Sequence, residues 1–247
     1  MAPEKLVILI AVFFFTSVLS VVTGSTSLIT VPVMIAFGLE PHRAVATNML
    51  ALTFMSVGGS LPFLRTSVVK PRRLGTLALI TLAGSALGAV LLLTVAMRAL
   101  QIVIALAMIG VAAFSLFNKN LGVNTGKTSR SSTAVVSGYA ATFGLAIYGG
   151  FFSGGYVTML TAAFVVCFGM TFLEAVATTK LMNVFSSGVA TVIFLWRGVV
   201  DLKLGLLLGV SMFLGALLGG HMTLLLKATW IRRIFIAAVL GLAVKML

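Results

Sequence analysis

The sequence repeats itself at a distance of 131 residues, and this repeat restricts the fold more than any other feature. Identical residues recur at this spacing, including the run Ala44–Thr47, which returns as Ala175–Thr178. Glycines are paired in the same way at positions 24 and 155, 38 and 169, 84 and 215, 88 and 219, and 110 and 241. Two homologous units in one apolar chain are typical of transporters, in which a binding site lies where the units meet.

The composition predicts an all-α polytopic membrane protein. Hydrophobic residues make up 60% of the chain and charged residues 9%, and the mean hydropathy is +1.22. Ten spans of about 20 residues would use about 200 positions, so the loops must be short. Cys167 is the one cysteine, which excludes an intramolecular disulfide, and its apolar surroundings predict a buried residue without a chemical role.

The repeat divides the chain into residues 1–117, a polar linker at 118–132, and residues 133–247. The start of the chain is similar to a signal peptide, but its counterpart near 136–153 is internal, so we predict that it forms the first helix. Each unit has five apolar segments. They are 5–22, 25–38, 44–64, 74–97 and 99–117 in the first unit, and 133–152, 156–169, 175–195, 204–226 and 230–247 in the second.

The second segment of each unit is too short to be an ordinary span. About 14 residues rise about 21 Å as a helix, against a hydrocarbon core of about 30 Å. A glycine cluster precedes each one, at 23–27 and at 149–155, which predicts a broken helix. Irregular backbone is tolerated at membrane depth only where protein or a water-filled cavity satisfies its polar groups, so the two breaks mark the predicted site.

A broken helix exposes backbone N–H groups at its N-terminus, where the positive end of the dipole favours an anion. Hydroxyl groups beside each break could donate further hydrogen bonds to an oxyanion. The alternative is that these residues only permit close helix packing, which is the favoured interpretation for the Gly84–Gly88 and Gly215–Gly219 pairs. The candidate residues at the breaks are Gly24, Ser25, Thr26 and Ser27, and Ser153, Gly154, Gly155 and Thr158.

The charge pattern predicts the topology. The sequence has 17 Lys and Arg residues against 4 acidic ones, a net charge of +13, and basic clusters at 65–73, 119–130 and 227–233. Such clusters are typical of cytoplasmic loops, and we do not assign them to nucleic-acid binding. All three clusters lie on one side of the membrane if each short segment crosses it. Each unit then crosses the membrane five times, and because this number is odd, the second unit is inverted relative to the first. Re-entrant short segments would place the third cluster outside, so the inverted repeat is favoured.

Lys180 is the basic residue that topology does not explain. It follows Ala175–Thr179 near the start of an apolar segment, and an intramembrane lysine is a functional candidate. The alternative is that Lys180 snorkels to the interface. It corresponds to Met49, so only one unit carries this charge. The polar residues predicted to converge with it near the midplane are Thr47, Asn48, Thr178, Thr179 and Asn183.

This pattern resembles the sulfite exporter TauE/SafE family. The resemblance implies a bacterial inner-membrane secondary carrier that exports sulfite or small sulfur-containing organic anions. Ser25–Ser27 replaces the family's usual glycine run and Ala163 its expected proline, which bears on fine specificity. The residues that carry the resemblance are Gly24–Pro32, Gly38–Thr47, Gly149–Gly155, Gly169–Lys180, Asn183–Ser187, Arg197–Asp201, Gly215 and Gly219.

Enzyme chemistry has little support in the sequence. His42 and His221 are the only histidines, and the four acidic residues are not paired at ligand or acid–base spacing. No phosphate-binding loop occurs, so we predict no cofactor and transport driven by gradients. His42 is predicted to be interfacial. An anion channel and a membrane scaffold or accessory subunit remain the alternatives, and a homodimer remains open.

Overall fold

The computed structural model describes residues 3–24, 26–64, 66, 68, 73–96, 98–99, 102 and 131–225. Residues 103–130 and 226–247, which hold most of the linker and of the predicted fifth segments, lie outside the described residues, as does Ser25. Within the described part the secondary structure is helical, without strands. The helices are α1 (Pro3–Thr23), α2 (Ser27–Ala36), α3 (Pro41–Leu64), α4 (Leu74–Thr94), α5 (Ser132–Phe151), α6 (Tyr156–Phe168), α7 (Phe172–Trp196) and α8 (Leu202–Leu225).

The helix lengths agree with the all-α membrane fold predicted from the sequence. Six described helices, α1, α3, α4, α5, α7 and α8, are long and apolar enough to cross a membrane. α2 and α6 have 10 and 13 residues and lie at the predicted breaks. Gly24 and Gly155 precede them with φ of +70° and +77°, a conformation that glycine adopts without strain.

Polar residues at the helix starts determine where the long helices begin. The Glu40 carboxylate accepts hydrogen bonds from the His42 and Arg43 amides, each at 3.1 Å, at the start of α3. Thr171 Oγ1 accepts from the Glu174 amide at 3.2 Å, before α7, and Asp201 Oδ1 accepts from the Leu204 amide, before α8. These side chains satisfy first-turn amides that have no partner within the helix.

Two contacts determine the direction of the short helices. Lys5 Nζ, in the first turn of α1, lies 5.7 Å from the centre of the Phe37 ring, directly after α2. The Tyr139 ring of α5 lies 5.2 Å, centre to centre, from the Phe168 ring at the end of α6. α2 and α6 therefore fold back along α1 and α5. As a result, α3 begins at the end of the molecule where α1 begins, here called end A.

The second set of helices runs the opposite way. His42 Nε2 lies 2.9 Å from the Val95 carbonyl oxygen, so α4 ends at end A and begins at the opposite end, end B. The Arg73 guanidinium, just before α4, lies 5.1 Å from the centre of the Phe168 ring, which places the end of α6 at end B. α7 therefore begins at end B, antiparallel to α3. α3 and α7 cross with Thr53 Oγ1 3.1 Å from Thr191 Oγ1.

Packing between the halves is crosswise, since α1 packs along α8 and α5 packs along α4. A Cβ added to Gly84 of α4 would lie 2.8 Å from the Phe143 carbonyl oxygen of α5. A Cβ at Gly219 of α8 would lie 3.0 Å from the carbonyl carbon of Val18 in α1. These glycines therefore allow the close helix approach that their spacing predicts.

Candidate functional site

The two helix breaks contact one another at the centre of the described structure. A Cβ on Gly24 would lie 2.7 Å from Val157 Cβ and 2.9 Å from the Thr158 amide nitrogen, in the first turn of α6. In return, a Cβ on Gly154 would lie 2.7 Å from Leu28 Cδ2, in the first turn of α2. The N-termini of the two short helices, one from each unit, therefore meet.

Contacts with α3 and α4 show how deep in the membrane the two breaks lie. Thr26 Oγ1, at the first break, lies 3.5 Å from the sulfur of Met55, near the middle of α3. Gly150, at the second break, packs against the backbone of Ser85, near the middle of α4. Since α3 and α4 are long enough to span a membrane, the two breaks lie near mid-membrane.

Equivalent hydrogen bonds tie each short helix to the long helix that follows it. Thr30 Oγ1 donates to Asn48 Oδ1 at 2.7 Å, and Asn48 Nδ2 donates to Ser27 Oγ at 2.9 Å. In the second unit, Thr161 Oγ1 donates to Thr179 Oγ1 at 3.3 Å. Thr30 and Thr161, like Asn48 and Thr179, are 131 residues apart. Asn48 thus orients the first turn of α2.

Lys180 lies inside this region, and the snorkelling alternative is wrong. Its side chain is 0% exposed, and Nζ donates to the Ser20 carbonyl oxygen at 2.8 Å. Ser20 is in the last turn of α1, where the negative end of the helix dipole favours a cation. All four acidic side chains of the sequence lie in the described part of the chain, and none forms an ion pair with Lys180 there.

Asn183, one turn beyond Lys180, adds an amide. Its Nδ2 donates to Ser56 Oγ of α3 at 2.6 Å. Its Oδ1 is buried and has no hydrogen-bond partner among the described residues. An unpaired buried polar atom costs about 1–3 kcal/mol, and such atoms in native proteins commonly belong to functional sites.

A hydroxyl cluster that the sequence analysis missed lies at the second break. Ser85 Oγ of α4 lies 2.7 Å from Ser186 Oγ of α7. The Tyr156 hydroxyl, on the first residue of α6, is buried beside the side chains of Thr81 and Ser186. Among the described residues, neither Tyr156 Oη nor Thr81 Oγ1 has a partner with full hydrogen-bond geometry. The position of Tyr156 directly after Gly155 is the sequence signal that could have identified part of this cluster.

The remaining predicted residues are distributed around these contacts. Thr47 Oγ1 accepts from the Asp201 amide at 3.0 Å, at the start of α8, and so lies toward end A, away from the breaks. Ser153 is buried with φ of +66°, and the Gly154 carbonyl accepts a hydrogen bond from the Tyr148 hydroxyl. Thr158 and Thr178 are also buried. The structure brings Thr26 and Lys180 to Met55 and Ser20, respectively, and Ser20 also contacts Met55. Asn48 reaches this group through Ser27, next to Thr26, and Asn183 through Ser56, next to Met55.

The comparisons with known proteins agree with this architecture. The chain is 28% identical over 247 residues to "Probable membrane transporter protein ORF9" of Sinorhizobium sp, covering 100% of this chain and 94% of that protein. It is 29% identical over 229 residues to a "Probable membrane transporter protein" of Haemophilus influenzae, covering 93% and 89%. It is 28% identical over 223 residues to "Probable membrane transporter protein YfcA" of Escherichia coli K12, covering 88% and 81%.

No solved structure matches the chain. A family model described as "Sulfite exporter TauE/SafE" matches residues 9–246, nearly the whole length. The chain therefore belongs to the sulfite exporter TauE/SafE family of multi-pass membrane transporters.

Proposed function

We propose that this protein is a secondary transporter that exports sulfite or a small organosulfur anion across the bacterial inner membrane by alternating access. The observation that carries the proposal is the burial of Lys180 at the junction of the two broken helices, hydrogen-bonded to a carbonyl oxygen. An intramembrane cation without a carboxylate partner is costly and marks a substrate or ion path. An anionic substrate would supply the missing countercharge.

The groups around Lys180 suit an oxyanion. A lysine ammonium has three donors, and among the described residues Ser20 takes one, which leaves two that can serve substrate oxygens. The hydroxyls of Ser20 and Thr26 donate to the sulfur of Met55, at 3.6 and 3.5 Å. A thioether is a weak acceptor, so a charged oxygen would replace it in these hydrogen bonds. The first-turn amides of α2 add the positive end of a helix dipole.

The helix directions support alternating access by inverted repeats. α3 and α7 are antiparallel, and each unit packs its outer helices crosswise on the other unit. In the sequence, the basic stretch 65–73 stands between α3, which ends at end B, and α4, which begins there. The stretch 119–130 precedes α5, which begins at end B, and 227–233 follows α8, which ends there. By the positive-inside rule, end B faces the cytoplasm. A site between inverted units can then open to either side in turn.

Transport by the purified protein in liposomes tests the proposal. Vesicles loaded with unlabelled sulfite should accumulate labelled sulfite by counter-exchange, and Lys180→Met should weaken apparent affinity about 10- to 100-fold, since hydrogen bonds to charged groups contribute about 1.5–3 kcal/mol. Lys203→Met, which removes an exposed lysine at the start of α8, is the matched control and should transport normally.

Two outcomes would contradict the proposal. Sulfite flux without counter-exchange would indicate a channel. Absence of saturable transport of sulfite and of small sulfonates would favour a scaffold or accessory subunit and would refute the substrate class.

A further inference from the structure

We infer that Lys180 is also the proton-coupling residue, so that each anion binds together with one proton taken up by the Lys180 amine. This inference rests on the proposed anion site and names its co-substrate. The argument begins with the surroundings of Nζ, which is fully buried and donates to the Ser20 carbonyl oxygen at 2.8 Å. A neutral amine also donates this hydrogen bond, with less strength than an ammonium, because both forms carry N–H donors.

Within the described residues, the charged form of Lys180 has the Ser20 carbonyl at the end of α1 as its partner and no carboxylate. Burial of an unpaired charge costs several kcal/mol, and such groups commonly change their protonation state instead. Glu174 is the one acidic residue on the same helix, six positions earlier and about 9 Å away along the helix axis. Glu4, Glu40 and Asp201 lie near the starts of α1, α3 and α8, at end A.

The helices that pack against α7 are α1, α3, α4, α5 and α6. Within the described residues, Nζ has no hydrogen bond to any titratable side chain of these helices or of the residues next to them. Those side chains are Glu4 and Lys5 on α1, Glu40 before α3 and His42 and Arg43 on it, Arg73 before α4, Tyr139 and Tyr148 on α5, and Tyr156 and Cys167 on α6. Among the described residues, no titratable side chain pairs with Nζ, so the bound anion is the group that we expect to stabilise the ammonium form.

Because protonation of Lys180 and anion binding are linked, one proton is taken up for each anion bound. A neutral amine, a proton from water and an anion combine to form an ammonium–anion pair, so the loaded site carries no more charge than the empty one. Anion and proton must enter together and leave together on the other side. Net flux follows the product of anion and proton concentrations on each side, and the membrane potential does not drive it. Export accordingly requires the larger product in the cytoplasm.

Proton uptake on binding provides the test. Methanesulfonate, the anion of a strong acid, is the probe, because it carries no proton of its own to exchange. Calorimetry of the full chain in two buffers with different ionisation enthalpies gives the number of protons taken up. At the alkaline end of a range from about pH 6 to about pH 9, the wild type should take up about one proton per anion, and Kd should weaken about tenfold per pH unit.

Two variants assign the proton to Lys180. Lys180→Arg holds a permanent charge and should bind methanesulfonate without proton uptake and with a Kd independent of pH. Lys203→Arg, at an exposed site, should behave as the wild type. If Lys180→Arg does not elute as a folded species, Lys180→Gln replaces it, and proton uptake that persists in Lys180→Gln overturns the assignment.

The experiment distinguishes a failure of the proton coupling from a failure of the proposed transport function. Wild-type protein that binds methanesulfonate with no proton uptake and a constant Kd overturns the coupling and leaves the anion site standing. A wild type that binds only sulfite is measured with sulfite after subtraction of the protons that sulfite itself exchanges with buffer. A wild type that binds neither anion refutes the proposed function and this inference with it.

Discussion

Replacement of Gly24 by alanine tests whether the two helix breaks interlock. Gly24 has φ of +70°, where an L-residue costs about 1–2 kcal/mol. The added Cβ would also lie 2.7 Å from Val157 Cβ, whereas carbon atoms pack at about 3.5–4.0 Å. The short helices must separate by about 1 Å, and such overpacking costs about 1–3 kcal/mol. The total destabilisation should be about 2–5 kcal/mol.

Gly198→Ala is the matched control. Gly198 has φ of +67°, and an added Cβ would meet nothing within 4 Å. This variant should therefore lose only the backbone term of about 1–2 kcal/mol. At about 2–4 °C per kcal/mol for a chain of this size, Gly24→Ala should melt about 2–12 °C below Gly198→Ala. Thermal unfolding in detergent, followed by circular dichroism and by size exclusion, measures the difference.

A second substitution separates the interlock from local strain at Gly24. Val157→Ala removes Cγ1, which also lies 2.7 Å from the added Cβ, and keeps Cβ itself. The double variant should therefore recover part of the loss, and its destabilisation should be smaller than the sum of the single effects. Equal melting temperatures for Gly24→Ala and Gly198→Ala, or strictly additive effects with Val157→Ala, would refute the contact between the breaks.

Three further predictions concern individual contacts. Thr30→Val and Asn48→Leu should show a coupling of about 0.5–1.5 kcal/mol in a double-mutant cycle of thermal unfolding, and additivity would exclude their hydrogen bond. Gly219→Ala should lower the free energy of unfolding by about 1–3 kcal/mol through its clash with the α1 backbone. Gly144→Ala, whose added Cβ would meet no atom within 4 Å, should be neutral or stabilising, and the reverse order would contradict the packing of α8 on α1. Partial desolvation raises the pKa of Glu40, but hydrogen bonds from His42 and Arg43 outweigh it and hold the pKa below its usual value. Glu40→Gln should therefore lose less than about 1 kcal/mol of stability at neutral pH, and this loss should vanish as the pH falls below about 4.5. Melting curves of the two proteins at each pH measure the difference, and a difference that grows toward acid pH would contradict the lowered pKa.

The helices could be predicted from the sequence to within a few residues. The predicted segment 44–64 begins three residues after the observed start of α3, and 175–195 begins three residues after that of α7. A charged residue in the first turn, Arg43 of α3 and Glu174 of α7, stands directly before each predicted start, and apolar patterning excludes it from the segment. Glu40 and Thr171 cap these turns and make them helical.

The breaks could be predicted because glycine at positive φ leaves a direct mark in the sequence. The acceptor of the Lys180 hydrogen bond could not, because it is the main-chain oxygen of Ser20, 160 residues away. A carbonyl acceptor carries no residue-type signal. For Thr47 the sequence was misleading. The repeat predicts it as a site residue, but its hydroxyl accepts a hydrogen bond from the Asp201 amide, directly before α8.

The two breaks share a scaffold but have different surroundings, so the two units do not contribute equally to the proposed site. The equivalent hydrogen bonds of Thr30 and Thr161 fix both short helices in the same way. Under the same 131-residue shift, Thr81, Ser85 and Ser186 correspond to Met212, Ala216 and Met55, and Lys180 corresponds to Met49. One break therefore carries the Lys180 amine beside a thioether, and the other carries hydroxyls. When inverted units exchange conformations, the anion meets unlike groups in the two states, so its affinity must differ between them. A carrier with identical breaks would have equal affinities on both sides.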